Sequence, residues 1–282
     1  LVINLRVAGD GPPVLLLHGY PQTHVCWHAV APVLATDFRV VVPDLPGYGD
    51  SACPVPAADH APHSKRAMAA TLRAAMTALG HDAFAVVGHD RGARVGYRMA
   101  LDHAEAVTRF VTLDVIPTLD MWDATDKKRA IGAFHWPFLA QPAPLPERMI
   151  GADPAYFAEW LMRSWAAPGF AFAAPAMAEY VRCFSKPEVI EATCEDYRAG
   201  ATVDPALDLA DRDAGRQLGC PVHFLWGGDR GFGGPQGGDD PLAVWRRWAD
   251  EVTGGGVACG HFLPEEAPNT VIREVRAFLG AA

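Results

Sequence analysis

Residues 88 to 92, Gly-His-Asp-Arg-Gly, place a carboxylate between two glycines, where the apolar run "AFAVVG" (83 to 88) gives way to a helix-like segment. Small-x-nucleophile-x-small at a strand-to-helix junction describes a tight, strained turn that presents its middle side chain, and the glycines leave room for the backbone to cross itself. With Asp90 in the middle, the nucleophile is a carboxylate. Its attack on an alkyl carbon gives an ester, which an activated water must then cleave. That chemistry fits displacement of a halide or opening of an epoxide. An aspartate after a strand also serves as a helix cap, so the turn takes its meaning from what surrounds it.

Three groups surround it. "HGYPQ" (18 to 22) follows another strand-like run, and main-chain N–H groups near Tyr20 and Arg91 are placed to hold a developing oxyanion. His261, in "CGHFLPEEAP" (259 to 268), comes after the last strand and before the closing helix, where a general base is expected. Two acids compete to orient it: Asp114, ending the strand after the turn's helix, and Asp229, following the next strand.

Arg91 and Arg94 stand in a first helical turn, where the helix dipole disfavours cations unless an anion joins them. Asp90 is one such anion. Three residues apart, the two guanidiniums share a face with the turn and leave room for a second. A substrate carboxylate held by bidentate contacts meets that need and keeps its adjacent carbon in line for Asp90. Arg98, further along the helix, reads as part of a surface ion-pair network.

The elements that must position these groups are legible as buried strands. "PPVLLLHG" (12 to 19), "FRVVVPDLPG" (38 to 47), "AFAVVG", "RFVTLD" (109 to 114) and "PVHFLWGG" (221 to 228) are short apolar runs ended by Gly or Pro, or by Asp114. Helix-like stretches lie between them, such as residues 64 to 80, which begin at a serine and end at a glycine. Alternation of this kind predicts an α/β fold with a mainly parallel sheet flanked by helices. From 119 to 205 the texture turns to Trp-, Pro- and Ala-rich helical stretches, which predicts an inserted helical cap between a first core part (1–118) and a second (206–282). The Gly-rich stretch 227 to 241 lacks phosphate-loop and dinucleotide spacing and reads as a surface loop.

A net charge of −9 on 282 residues argues against a nucleic-acid groove or an anionic membrane surface, and the partner is expected to be a small molecule. No apolar run approaches the roughly 18 residues that span a bilayer, and the first residues lack a signal-peptide pattern, so a cytoplasmic location is expected. The six cysteines are scattered without zinc spacing and read as thiols. No metal and no cofactor are expected.

The chain resembles the fluoroacetate dehalogenases, the haloacetate-hydrolysing branch of the α/β-hydrolase superfamily. The resemblance rests on "HGYPQ", "PDLPGYGDS", "GHDRGAR", "TLDVIPT", "FHWPFLAQPAPLPE", "CEDYRAGA" and "CGHFLPEEAP", and spans nearly the whole chain. It implies the α/β-hydrolase fold, Asp90 as nucleophile, His261 as base, Asp114 as the acid, and Arg91 and Arg94 as ligands of the substrate carboxylate. It further implies that His135, Trp136 and Tyr197 hold the leaving halide and that the protein forms a homodimer. Tyr20 departs from the family's usual phenylalanine. Two other cap aromatics, Tyr156 and Trp165, read as packing. The expected reaction is conversion of haloacetates, fluoroacetate first, to glycolate and halide through an aspartyl ester; the alternative is an epoxide hydrolase using the same Asp90.

Overall fold

The computed structural model describes residues 1–228 and 240–280. Strands β1 (Leu5–Ala8) and β2 (Pro13–Leu17) lead to α1 (Ala31–Leu34), β3 (Arg39–Pro43), α2 (Lys65–Ala78), β4 (Phe84–His89), α3 (Arg91–Asp102) and β5 (Val107–Leu113). Helices α4 (Thr118–Asp123), α5 (Lys127–Gly132), α6 (His135–Leu139), α7 (Leu145–Ala152), α8 (Pro154–Trp165), α9 (Ala174–Phe184), α10 (Pro187–Ala201) and α11 (Val203–Asp213) then intervene before β6 (Val222–Gly227). After β6 come α12 (Pro241–Trp245), β7 (Val252–Val257), α13 (Leu263–Glu266) and α14 (Pro268–Leu279).

The strands form one sheet in the order β1-β3-β2-β4-β5-β6-β7, parallel except that β1 runs against β3. Its middle strands are apolar because helices cover both faces: every residue of β4 is buried, and Leu15, Leu16, Leu17, Val86, Val111 and Leu113 are almost wholly inaccessible. The carboxyl ends of these strands point one way, so the turns after β2, β4 and β5 collect at one edge of the sheet. In open α/β sheets that edge is where ligands bind.

Two strands escape the sequence reading for physical reasons. β1 is an edge strand whose residues alternate between exposed and half-buried, so it carries no apolar run. β7 reads Val-Thr-Gly-Gly-Gly-Val, yet its glycine serves close approach: Gly254 has φ 140°, and a Cβ there would lie 1.8 Å from the Phe224 carbonyl oxygen on β6. α2 starts as expected, with the Ser64 hydroxyl accepting the Ala67 N–H.

Arg98 is a correction. It is buried, and it donates to Asp208 Oδ1 at 2.7 Å and Asp211 Oδ2 at 2.5 Å, both on α11, and to Asp102 at 3.3 Å. α3 is covered from Arg91 to Leu101, so a basic residue that would face solvent on an ordinary surface helix is here enclosed between sheet and insertion. Arg98→Met leaves the buried Asp208 without a cation, while Asp211 keeps Arg216, and removal of one partner from such a network is expected to lower the unfolding free energy by about 3–5 kcal/mol. Asp208, whose carboxyl burial already pushes up, can neutralise itself by taking up a proton in the folded state, so the loss shrinks as pH falls. Urea unfolding at pH 8 and pH 5 checks this; an equal loss at both places the effect in packing instead.

Candidate active site

Asp90 sits in the turn between β4 and α3 with φ 48° and ψ −117°, a conformation L-residues rarely adopt. The glycines on either side are required by crowding. A Cβ on Gly88 would lie 2.5 Å from Ala93 Cα, and one on Gly92 would lie 2.4 Å from the His18 carbonyl oxygen. The Tyr20 N–H, from the turn after β2, donates to Asp90 Oδ1 at 2.9 Å. Of the two main-chain donors read from the sequence, this one is aimed at the carboxylate. The Arg91 N–H opens α3 immediately beside it.

His261 Nε2 lies 3.9 Å from Asp90 Oδ2, too long for a hydrogen bond. Its Nδ1 lies 2.6 Å from Asp114 Oδ2; because a carboxylate only accepts, Nδ1 carries the proton and the lone pair stays on Nε2. Asp114 ends β5 with φ 61° and takes the Gly227 N–H on its other oxygen at 2.9 Å. Main-chain contacts fix the imidazole further. The His261 N–H donates to the Trp165 carbonyl, His89 Nε2 donates to the His261 carbonyl, and Glu266 accepts the N–H groups of Gly260 and Phe262 on either side. Asp229, the competing acid, lies outside the described residues.

The electrostatics suit a nucleophile and a base. Burial pushes the Asp90 carboxyl up, but His261, His89, Arg91 and the Tyr20 N–H outweigh it and bring the pKa down to about 2. Burial lowers the His261 pKa, and the hydrogen bond and charge of Asp114 raise it by more, leaving it above its ordinary value. Burial takes His89 and His135 down to about 3, so both are neutral.

Among the described residues four arginines are buried: Arg91, Arg94, Arg98 and Arg198. Three pair with carboxylates. Arg91 makes a fork with Asp196 on α10, at 2.8 Å from Nε and 2.7 Å from Nη2; Asp196 also binds Lys65 and the Tyr48 hydroxyl. Arg198 pairs with Glu195 and Glu147. Arg94 pairs with no carboxylate among the described residues; its Nη1 donates to the Ile116 carbonyl at 2.9 Å and to Thr118 Oγ1 at 3.2 Å. Arg91 Nη1 and Arg94 Nε have no hydrogen-bond partner there. The two arginines thus differ. The anion that answers Arg91 comes from the insertion, and Arg94 still lacks one.

Aromatic rings from the insertion close over these groups. Arg91 lies 4.1 Å above the Tyr197 ring and Arg94 4.6 Å above Trp136. His135 meets Tyr197 edge-on at 5.6 Å and stacks on Tyr20 at 6.1 Å. Tyr20 meets Tyr197 edge-on at 5.3 Å, and neither phenol hydroxyl has a partner among the described residues. The structure therefore gathers Tyr20, Asp90, Arg91, Arg94, Asp114, His135, Trp136, Tyr197 and His261 into one cluster.

Two participants escaped the sequence reading. Asp196 stands beside Tyr197 in the same motif but has its partners 105 and 131 residues upstream, and nothing local announces them. Trp165, read as packing, lies 4.4 Å from the His135 ring, and its carbonyl holds His261 in place. Tyr156, also read as packing, is 66% exposed on α8. One group of metal-type donors occurs among the described residues, Asp50, Glu179 and Cys183, and its carboxylates already pair with Arg182 and Lys186. No helix there is long and apolar enough to cross a membrane.

Comparison with known proteins agrees with the fold. The sequence pattern of the α/β hydrolase fold family matches residues 12–171. A fluoroacetate dehalogenase from Burkholderia sp. is 42% identical over the whole of this chain and 91% of its own. A soluble epoxide hydrolase from Corynebacterium sp. (strain C12) is 35% identical over 94% of this chain and 89% of its own. The crystal structure of ALR0039 from Nostoc sp. PCC 7120 superposes with a TM-score of 0.95 at 49% identity, covering 99% of this chain and 94% of that one.

Proposed function

The chain belongs to the α/β hydrolase fold family as a homologue of fluoroacetate dehalogenase, and we propose that it hydrolyses small haloacetates, fluoroacetate foremost, to glycolate and halide. The observation that carries this reading is Arg94: a buried guanidinium with no carboxylate among the described residues, next to a nucleophilic turn. A buried cation without an anion is costly, and a bound carboxylate relieves that cost. Arg91 Nη1 and Arg94 Nε are the donors left to grip it.

In the first step the ionised Asp90 attacks the α-carbon and expels halide. Donors from His135, Trp136 and Tyr197 stabilise the charge that gathers on the leaving atom, in a site whose water the aromatic rings exclude. In the second, His261 Nε2 takes a proton from water, which adds to the ester carbonyl. The Tyr20 N–H already sits on one Asp90 oxygen, and as that oxygen becomes an oxyanion the bond strengthens. The acyl–oxygen bond then breaks to give glycolate. A neutral epoxide, the rival substrate, leaves Arg94 without its anion.

Fluoride release from fluoroacetate, followed by electrode with chloroacetate and propylene oxide beside it, tests the reading. Arg94→Gln is expected to lower kcat/KM for chloroacetate by about 10- to 100-fold, since a hydrogen bond to a charged group contributes roughly 1.5–3 kcal/mol. Chloroacetamide has no carboxylate to lose and should suffer much less. Equal losses on the two substrates assign Arg94 to structure.

A further inference from the structure

We propose that Glu265 is a positioning residue for the second step: as an uncharged acid it clasps the turn after β2 to the helical insertion, and so keeps the Tyr20 N–H on Asp90. This rests on the haloacetate reading, which supplies the ester that the second step cleaves.

Three elements meet at this carboxyl. Glu265 lies on α13, shortly after His261, and is buried. One of its oxygens accepts the Tyr180 hydroxyl from α9 at 3.0 Å, and the other accepts Gln22 Nε2. Gln22 closes the turn that carries Tyr20: its N–H donates to the Gly19 carbonyl at 2.9 Å, and within that turn the Tyr20 N–H reaches Asp90 Oδ1. Gln22 and Tyr180 are buried as well. One side chain thus ties the oxyanion donor to the insertion. Its neighbour Glu266 is held differently, by the main-chain N–H groups of Gly260, Phe262 and Ala167, whereas the donors to Glu265 among the described residues are side chains.

The surroundings leave a charge on Glu265 unanswered. Besides Gln22, the segment after β2 presents Cys26, whose thiol burial keeps protonated, and His28. His28 Nδ1 stands 4.0 Å from Glu265 Oε1, beyond hydrogen-bond reach, and donates instead to the Val25 carbonyl at 3.0 Å. From α9 comes Tyr180, protonated through burial, while Glu179 and Arg182 on that helix pair with each other. On α14, Arg273 pairs with Glu274, and Arg276 with Asp37. A buried carboxylate without a cation is costly, and protonation removes the cost. Burial pushes the Glu265 carboxyl up, the hydrogen bonds of Tyr180 and Gln22 pull it down by less, and the Glu266 charge adds to the rise, leaving it at about 8. The proton also has an acceptor to meet, since Gln22 Oε1 is buried and has no donor among the described residues. Loss of that proton sets a charge beside Glu266, the thiol and the phenol. The clasp then loosens, and the Tyr20 N–H is no longer fixed on the oxygen that becomes the oxyanion.

Two variants test this. Glu265→Gln keeps a donor and an acceptor at every pH, and Glu265→Leu keeps neither. The ester formed from chloroacetate is followed by rapid quenching and intact-protein mass spectrometry. One pH unit above its midpoint only about a tenth of Glu265 retains its proton, so at pH 9 ester hydrolysis in the unaltered protein should run about 10-fold slower than in Glu265→Gln, with ester accumulating. Glu265→Leu should be slow across the whole range. Urea unfolding reads the proton without any substrate. A carboxyl protonated in the folded protein and ionised in the unfolded chain costs stability increasingly as pH rises between its two pKa values. The stability of Glu265→Gln relative to the unaltered protein should therefore climb from pH 5 to pH 8 and level off above. A difference that does not vary with pH, or a Glu265→Gln variant that still slows at pH 9, overturns the proposal, while halide release upholds the haloacetate reading. No halide from the unaltered protein overturns both.

Discussion

His261→Ala is expected to react with fluoroacetate once and then stop, holding a carboxymethyl ester on Asp90. The imidazole takes no proton in the first step: Asp90 is buried yet ionised, with a pKa of about 2 to which His261 contributes alongside His89, Arg91 and the Tyr20 N–H, and it needs no base to attack. It is indispensable in the second, because water must lose a proton as it adds to the ester. Steady turnover should fall on the order of 10⁴-fold, the upper range for a general base, while one equivalent of fluoride still appears. Intact-protein mass spectrometry and peptide mapping locate the adduct. No adduct in a folded variant, or one on another residue, rules out the two-step scheme. The pH dependence has a definite sign. His261 must be neutral to act, and Asp114 holds its pKa above the ordinary value, so ester hydrolysis rises with pH through that raised pKa. Alkylation of Asp90 stays flat over the same interval.

Asp114→Asn should stall the reaction at the same ester, with turnover down on the order of 10³- to 10⁴-fold, through the imidazole tautomer. Among the described residues Asp114 accepts two N–H groups, one on each oxygen: Gly227 at 2.9 Å and His261 Nδ1 at 2.6 Å. Asparagine has a single acceptor oxygen, so one of the two must face its NH₂ group. The Gly227 N–H is part of the backbone and cannot move its proton, whereas the imidazole can shift its own to Nε2. That shift removes the lone pair water needs. Asparagine also tolerates the left-handed φ of 61°, so the strand end keeps its shape. A fluoride burst of one equivalent followed by a slow phase is the expected trace. Asp229→Asn should scarcely alter turnover, and the reverse ranking transfers the acid's role to that position.

The parts of this molecule legible in the sequence are those whose causes are local. A strand buried on both faces must be apolar along its length, which is why β2 to β6 stand out and the half-exposed β1 does not. The nucleophilic turn is legible because crowding at Gly88 and Gly92 forbids side chains within five consecutive residues. What stays hidden depends on distant partners. Arg98 reads as a surface cation because its acids lie 110 and 113 residues away on α11. Asp196 is silent for the same reason. With Trp165 the sequence draws attention to the indole, yet the group that holds His261 is a carbonyl every residue possesses.

The fork between Arg91 and Asp196 bears on how such enzymes can diversify. Asp196 belongs to the insertion, while the cations it neutralises, Arg91 and Lys65, belong to the sheet's own helices; Arg98 is tied to α11 in the same way. An insertion transplanted onto another sheet would arrive with carboxylates that have nothing to answer them, and the recipient's arginines would lose theirs. Recombination at the seams after β5 and before β6 therefore breaks apart what must be inherited together. New specificities on this scaffold are more accessible by single replacements along the pocket wall, at positions such as Tyr20, than by exchange of the roof as a block.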